Sequence, residues 1–309
     1  MESVRQPAPG EEEALRTVVV ALLANAGVAI AKFVAALITR SSAMLAEAIH
    51  ATADTGNQVL LLVANRRSRR PPDAAHPIGH GREAYFWALI AALGMFLTGA
   101  LLAVRQGVIE LLHPVRVSSP LAAYVVLGVS SFLDGMSLAQ AYRQLKREAM
   151  TLNIEFLEHF DRSSDPVGRA VFAEDVVAMV GNLVALAGIV LDQLTGSAIP
   201  DAAAALIIGV CLAIVALDLS RRNRDFLVGR QASAPIRAGL QQLIARQPGV
   251  VTVSQLLVTF VGPRQLWVVA HIQTDDALDG RTLKELLRTI ERVVQSQSPS
   301  FARVDLVPG

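Results

Sequence analysis

Residues 18–38 read VVVALLANAGVAIAKFVAALI, 21 residues in which Lys32 is the one formal charge. At about 1.5 Å of rise per residue, this run is a helix long enough to cross a hydrocarbon core. Glu11, Glu12 and Glu13 precede it where a secretory signal carries basic residues, and no small-residue cleavage site follows, so the N-terminus is expected to be retained. Further apolar stretches cover residues 41–65, 86–112, 121–141, 170–191 and 202–217. Six spans place both termini on one side. Arg66, Arg67, Arg69 and Arg70 follow the second span, Arg143, Lys146 and Arg147 the fourth, and Arg221, Arg222 and Arg224 the sixth. The opposite loops hold little beyond Arg40 and Arg116, so the positive-inside bias predicts cytoplasmic termini.

Composition agrees with a membrane protein. Of 309 residues, 52% are hydrophobic and 18% charged, which speaks against an ordinary cytosolic globule. Twenty-eight Lys and Arg against 27 Asp and Glu leave a formal charge of +1, without the basic excess of a nucleic-acid binder. The lone Cys211 excludes a disulfide scaffold and a thiolate metal cluster. Any metal must be held by imidazoles and carboxylates.

After Gly229 the pattern changes. Ile236, Leu240, Leu243 and Ile244 have helical spacing up to Pro248-Gly249; residues 250–261 and 265–273 read as strands around the turn Gly262-Pro263. Asp279 is placed to cap a helix striped by Leu283, Leu286, Leu287, Ile290, Val293 and Val294, and residues 301–307 read as a last strand. The order α, β, β, α, β predicts a small α+β sandwich. The chain thus divides into a transmembrane part, 1–228, and a soluble domain, 229–309.

Ionisable groups inside spans cost at least ~2.5 kcal/mol each, so their positions carry information. Glu47, His50 and Asp54 share one face of the second span, with about 6 Å between the Cβ atoms of residues one turn apart. An imidazole and a carboxylate so placed can grip one divalent ion; they can equally hydrogen-bond to each other. Glu174 and Asp175 open the fifth span, where two acids at one depth repel unless protonated, paired or bridged by a cation. Glu174 also suits a helix start. Lys32 either snorkels or neutralises an acid, Asp134 reads as a proton site or a partner of Lys32, and Asn182 lies on the face of Asp175. In the loop 66–85, Asp73, His76 and His80 offer a three-donor zinc site, whereas His76-Pro77 and Gly79-His80-Gly81 also fit a tight turn.

The run from Leu45 to Gln58, which contains Glu47, His50 and Asp54, and the run His76-Pro77-Ile78-Gly79-His80-Gly81-Arg82-Glu83-Ala84-Tyr85-Phe86-Trp87 closely resemble the cation diffusion facilitators. The likeness extends over nearly the whole chain. It implies an α-helical membrane protein with six transmembrane helices and a small ferredoxin-like α+β cytoplasmic domain, working as a homodimer. It implies a transport site of His50, Asp54 and Asp175, and it matches Asp73, His76 and His80 to the family's loop site. Many members carry a His or Asp four residues before the fifth-span aspartate; here that position is Val171, which cannot coordinate an ion. Residues 171–175, Val-Phe-Ala-Glu-Asp, instead look like the branch of the mitochondrial zinc transporters. Glu174 points about 100° from Asp175 on an ideal helix, and either its longer side chain or a water completes the set. In the soluble domain His271 alone resembles a ligand of the family's dinuclear site, with Asp305 near where another His is expected.

The resemblance therefore implies a transporter and not an enzyme, one that exports a divalent cation from the cytoplasm by proton antiport with alternating access. Zn²⁺ is the first choice, transported and also as a structural ion, with Mn²⁺, Fe²⁺ and Co²⁺ as alternatives because oxygen donors harden the site. The partners implied are the ion, protons, the bilayer and a second copy of the chain, and no nucleic acid. One alternative is a metal-binding sensor or scaffold that moves no ions. Another is an intramembrane zinc hydrolase, which lacks its usual H-E-x-x-H signature here. The absence of a transit sequence and the short loops point to a bacterial inner membrane.

Overall fold

The structure, a computed structural model, describes residues 9–151, 155–275, 277–298 and 300–309. The first apolar run lies within α1 (Pro9–Thr39), and Arg40, at φ +55°, turns the chain directly into α2 (Ser42–Ser68). Ser41 caps α2 by accepting from the Met44 N–H at 3.0 Å. A second cap comes from far along the chain. Asp201, in the first turn of α8 (Ile199–Val228), accepts from the Ser41 hydroxyl and the Ser42 N–H, each at 2.6 Å, and from the Ala43 N–H at 3.3 Å. N–H groups at a helix start have no partner within the helix, and a hydrocarbon core offers no water, so this buried carboxylate ties α2 to α8. Asp201→Ala is expected to cost about 2 kcal/mol. The check is the thermal midpoint of the detergent-solubilised protein, and an unshifted midpoint would count against the cap.

The third rod joins α3 (Glu83–Gly94), a π-helical turn over Met95–Ala100 and α4 (Leu101–Leu112). Next come α5 (Pro120–Thr151), the short α6 (Phe156–Arg162) and α7 (Pro166–Thr195). Asp165 starts α7 by accepting from the Val167 and Gly168 N–H groups, and Gly196 ends it at φ +69°. Each expected apolar stretch falls within one rod. The sequence did not signal α6, whose Phe156 and Phe160 rest on Phe172 of α7.

Among the described residues, five rods are long and apolar enough to cross a membrane: α1 from Leu22, α3 to α4, α5, α7 and α8. The second expected span, α2, is less apolar, with Glu47, His50, Asp54, Asn57 and Gln58 along its length. It packs instead against α1, α3, α4, α7 and α8, so its polar groups need not meet lipid. Its Ala43, Ala46, Ala48 and Ala64 are fully buried, and side chains this small let neighbouring backbones approach closely.

Beyond Gly229 follow α9 (Ala234–Ala245), β1 (Val250–Gly262), β2 (Gln265–Thr274), α10 (Gly280–Gln297) and β3 (Phe301–Pro308). The sheet order is β1-β2-β3, antiparallel between β1 and β2 and parallel between β2 and β3, a ferredoxin-like arrangement. Asp279 caps α10, as its position predicts. Leu240, Ile244, Ile290 and Val294 of the two helices cover one sheet face over Val258, Val268, Ala270 and Ile272. The hairpin between β1 and β2 seats on the membrane part. Arg264 donates its N–H to the Ser164 hydroxyl at 2.9 Å, and a Cβ at Gly81 would lie 2.5 Å from the Val261 carbonyl oxygen, so this contact admits glycine only.

Candidate metal sites

On α2 the spacing 47, 50, 54, 57 stacks four polar side chains on one face, and neighbouring helices enclose them. His50 is 1% exposed. Its Nε2 stands 3.0 Å from Asp54 Oδ2, yet the alignment is not that of a hydrogen bond: neither ring nitrogen of His50 has a hydrogen-bond partner, and neither has Asp54 Oδ1. Leaving such groups unpaired in an apolar interior costs roughly 1–3 kcal/mol each. An imidazole lone pair and a carboxylate oxygen facing one point are the donor set a divalent cation satisfies.

From α7, Glu174 is buried and accepts a hydrogen bond from Asn57 Nδ2 of α2, and it lies within range of the charges of His50, Asp54 and Asp175. Asp175 is half-buried and turned towards α5, where the Ser137 hydroxyl donates to its Oδ2 at 2.7 Å. Glu174 thus reaches α2 through Asn57 and Asp175 reaches α5 through Ser137, and both carboxylates lie within range of the Asp54 charge. Val171 packs in an apolar cluster and offers no donor. No three of His50, Asp54, Glu174 and Asp175 bring donor atoms within 4.8 Å of one another; among the described residues, the loop triad is the set that does.

Three residues left open by the sequence find their partners here. Lys32 donates to Glu47 Oε2 at 2.7 Å and to Asn182 Oδ1 at 2.8 Å, and Asn182 donates in turn to Asp134 Oδ2 at 2.7 Å. Lys32 thus neutralises an acid and reaches Asp134 through Asn182. The sequence allowed Lys32 to neutralise an acid, and helical spacing placed Glu47 beside His50, but neither said that this acid, 15 residues later, is Glu47.

In the loop after α2, Asp73 Oδ1 lies 3.2 Å from His76 Nδ1 and Oδ2 lies 2.9 Å from His80 Nε2. The tight-turn reading of this segment holds. The Asp73 carboxylate accepts from the Ala75 and His76 N–H groups, and Gly79 sits at φ +90°, so a tight turn brings the three donors together. Glu83, which the spacing did not single out, stands 3.1 Å from His80 Nδ1, where a carboxylate orients a metal-bound imidazole. His80 and the neighbouring N–H groups hold the Asp73 carboxyl well below its usual range, and the Asp73 carboxylate raises the imidazole of His80.

This sets opposite pH senses for the loop without and with an ion. The contact between His80 and Asp73 stabilises the loop fully below the ordinary histidine pKa and fades as pH rises through the raised one. A cation must instead displace that proton, so affinity strengthens over the same interval. With the membrane site disabled by His50→Ala, zinc affinity by calorimetry is expected to be at least tenfold weaker at pH 6 than at pH 8. Equal affinities would mean that His80 is not a ligand.

His271 lies on the open face of the sheet, in register with Gln255 and Val307, which supply neither imidazole nor carboxylate. Asp305 is occupied by the Trp267 indole N–H at 2.7 Å and the Arg303 guanidinium at 2.9 Å. Among the described residues, nothing gathers a metal cluster around His271.

A family model, the cation efflux transmembrane domain, matches residues 18–228. The human mitochondrial proton-coupled zinc antiporter SLC30A9 is 31% identical over 270 residues, 87% of this chain and 48% of that protein. Metal tolerance protein C4 of Arabidopsis thaliana is 34% identical over 220 residues, 71% of this chain and 48% of that protein. An uncharacterized transporter of Methanocaldococcus jannaschii is 20% identical over 306 residues, 96% of this chain and 99% of that protein. The chain spans about half the length of the first two relatives.

Proposed function

We propose, from the premise that this chain belongs to the cation efflux family, that it carries a divalent metal ion across the membrane in exchange for protons. Zinc is the first choice, ahead of Mn²⁺, Fe²⁺ and Co²⁺. The observation that carries this reading is His50: a buried imidazole whose Nε2 stands 3.0 Å from Asp54, with the buried Glu174 carboxylate bonded to Asn57, one turn beyond Asp54 on the same helix, within a bundle of membrane-length helices. The ion enters from the cytoplasmic side onto His50, Asp54 and the carboxylates of Glu174 and Asp175. Each donor must give up its proton to bind, so loading releases protons and protonation releases the ion. A histidine's ordinary pKa of about 6.5 suits that exchange near neutral pH.

In this state the donors stand too far apart to enclose an ion, which fits a site that tightens on loading and opens again when the helices rock. Basic residues after α2, α5 and α8 support cytoplasmic termini, in a bacterial inner membrane. The division into residues 1–228 and 229–309 and the pairing of two copies belong to the same reading. The loop triad is a second, exposed site for a structural or regulatory zinc ion.

Proteoliposomes with a pH gradient test the reading: zinc uptake that collapses the gradient supports it. Zinc binding without flux would favour a sensor instead.

A further inference from the structure

We infer that Glu47, held by Lys32, is the positioning residue of the membrane site: it accepts the hydrogen bond of the His50 Nδ1–H and so leaves Nε2 for the cation. The inference rests on the transport reading above and deepens it.

His50 Nε2 already faces Asp54, at 3.0 Å. On the other edge of the ring, Nδ1 faces Glu47 Oε1 at 3.9 Å, and both atoms are buried without a hydrogen-bond partner. Two orphaned atoms of complementary chemistry face each other across a gap that a shift of about 1 Å closes to a hydrogen bond. Such a bond fixes the tautomer. With the proton on Nδ1, the lone pair sits on Nε2, on the side of Asp54.

The rest of the network explains why the carboxylate can stay charged at this depth. Its second oxygen is held by Lys32 at 2.7 Å, and the ammonium is itself anchored to Asn182 Oδ1 at 2.8 Å, with Asn182 tied to Asp134. Side chains of three other helices, α1, α5 and α7, thus join in one network with this carboxylate of α2. Gly181 of α7 supplies the space: a Cβ there would collide with Glu47 Oε1, the oxygen turned towards His50. A pair of purely structural use would need neither that free oxygen nor that gap.

The test uses the full chain in lipid nanodiscs, carrying His76→Ala and His80→Ala so that the loop ligands do not contribute. Combining Lys32→Met with Glu47→Leu removes both charges together and leaves no lone buried ion. Zinc affinity by calorimetry is expected to fall about 10- to 100-fold, while the visible absorption bands of bound Co²⁺ keep their position and intensity because the ligands are unchanged. Undiminished affinity overturns the inference, as do Co²⁺ bands altered in the way a lost ligand alters them, which would make Glu47 a ligand itself. A second readout needs no change in the network. In the zinc-loaded protein labelled with ¹⁵N-histidine, the signal that His50→Asn removes must report a ring ligated through Nε2 and protonated at Nδ1. Ligation through Nδ1 overturns the inference. If Asp54→Ala leaves zinc binding and flux intact, the transport reading fails; if it abolishes them while the charge-free pair binds zinc normally, only the role of Glu47 falls.

Discussion

Zinc flux through Asp54→Ala is expected to fall by at least on the order of 100-fold, with the protein still folded in detergent. Asp54 contributes one oxygen to the contact with His50 and holds a second, buried oxygen without a partner. It accepts no hydrogen bond from a helix end, so its loss leaves no cap open. What disappears is a charged donor in a medium where water cannot replace it cheaply. The measurement is zinc uptake into proteoliposomes under a fixed pH gradient, normalised to folded protein. Undiminished uptake would remove Asp54 from the pathway, and with it the membrane site as drawn.

The second large effect separates the two acids of α7. Glu174→Gln is expected to cut flux more deeply than Asp175→Asn, by tenfold or more. The Glu174 carboxylate is buried and bonded to Asn57, on the helix that carries His50 and Asp54. Asp175 points to Ser137 of α5, and an asparagine oxygen can still accept that hydroxyl. The family likeness suggests the reverse order, since it places the ligand at Asp175. On one helix the two side chains differ by about 100° in direction. If Asp175→Asn proves the more damaging, α7 must rotate about its axis when the ion loads. Flux and zinc affinity of both variants in one preparation decide between these outcomes.

Much of the architecture was legible in the residues. Hydrocarbon thickness sets the length of each rod, and alternation with turn chemistry marks β1 and β2 around Gly262-Pro263. The cap at Asp279 follows from a single polar residue before an apolar stripe. The site was legible only in part. Spacing put Glu47, His50 and Asp54 on one face, and the two histidines with Asp73 in one loop. It left Lys32 and Asp134 with alternatives open, and it passed over Asp201 and Glu83. Asp201 lies about 160 residues from the helix start it caps, and its partners are backbone groups that any sequence possesses.

The sequence by itself determined which groups share a face within a rod, because helical geometry is local and every 3.6 residues complete a turn. It also determined that charged groups occur within the bundle, since few other residues interrupt the apolar runs. The tertiary structure alone decided how each rod is turned against its neighbours: that Glu174 bonds Asn57 of α2 while Asp175 bonds Ser137 of α5, that Lys32 finds Glu47, and that Asn182 joins them to Asp134. Those rotations come from the packing of all the helices at once, where small residues such as Ala43, Ala46 and Gly181 set the distance of approach. Such packing depends on pairs far apart in the chain, and no local pattern records it.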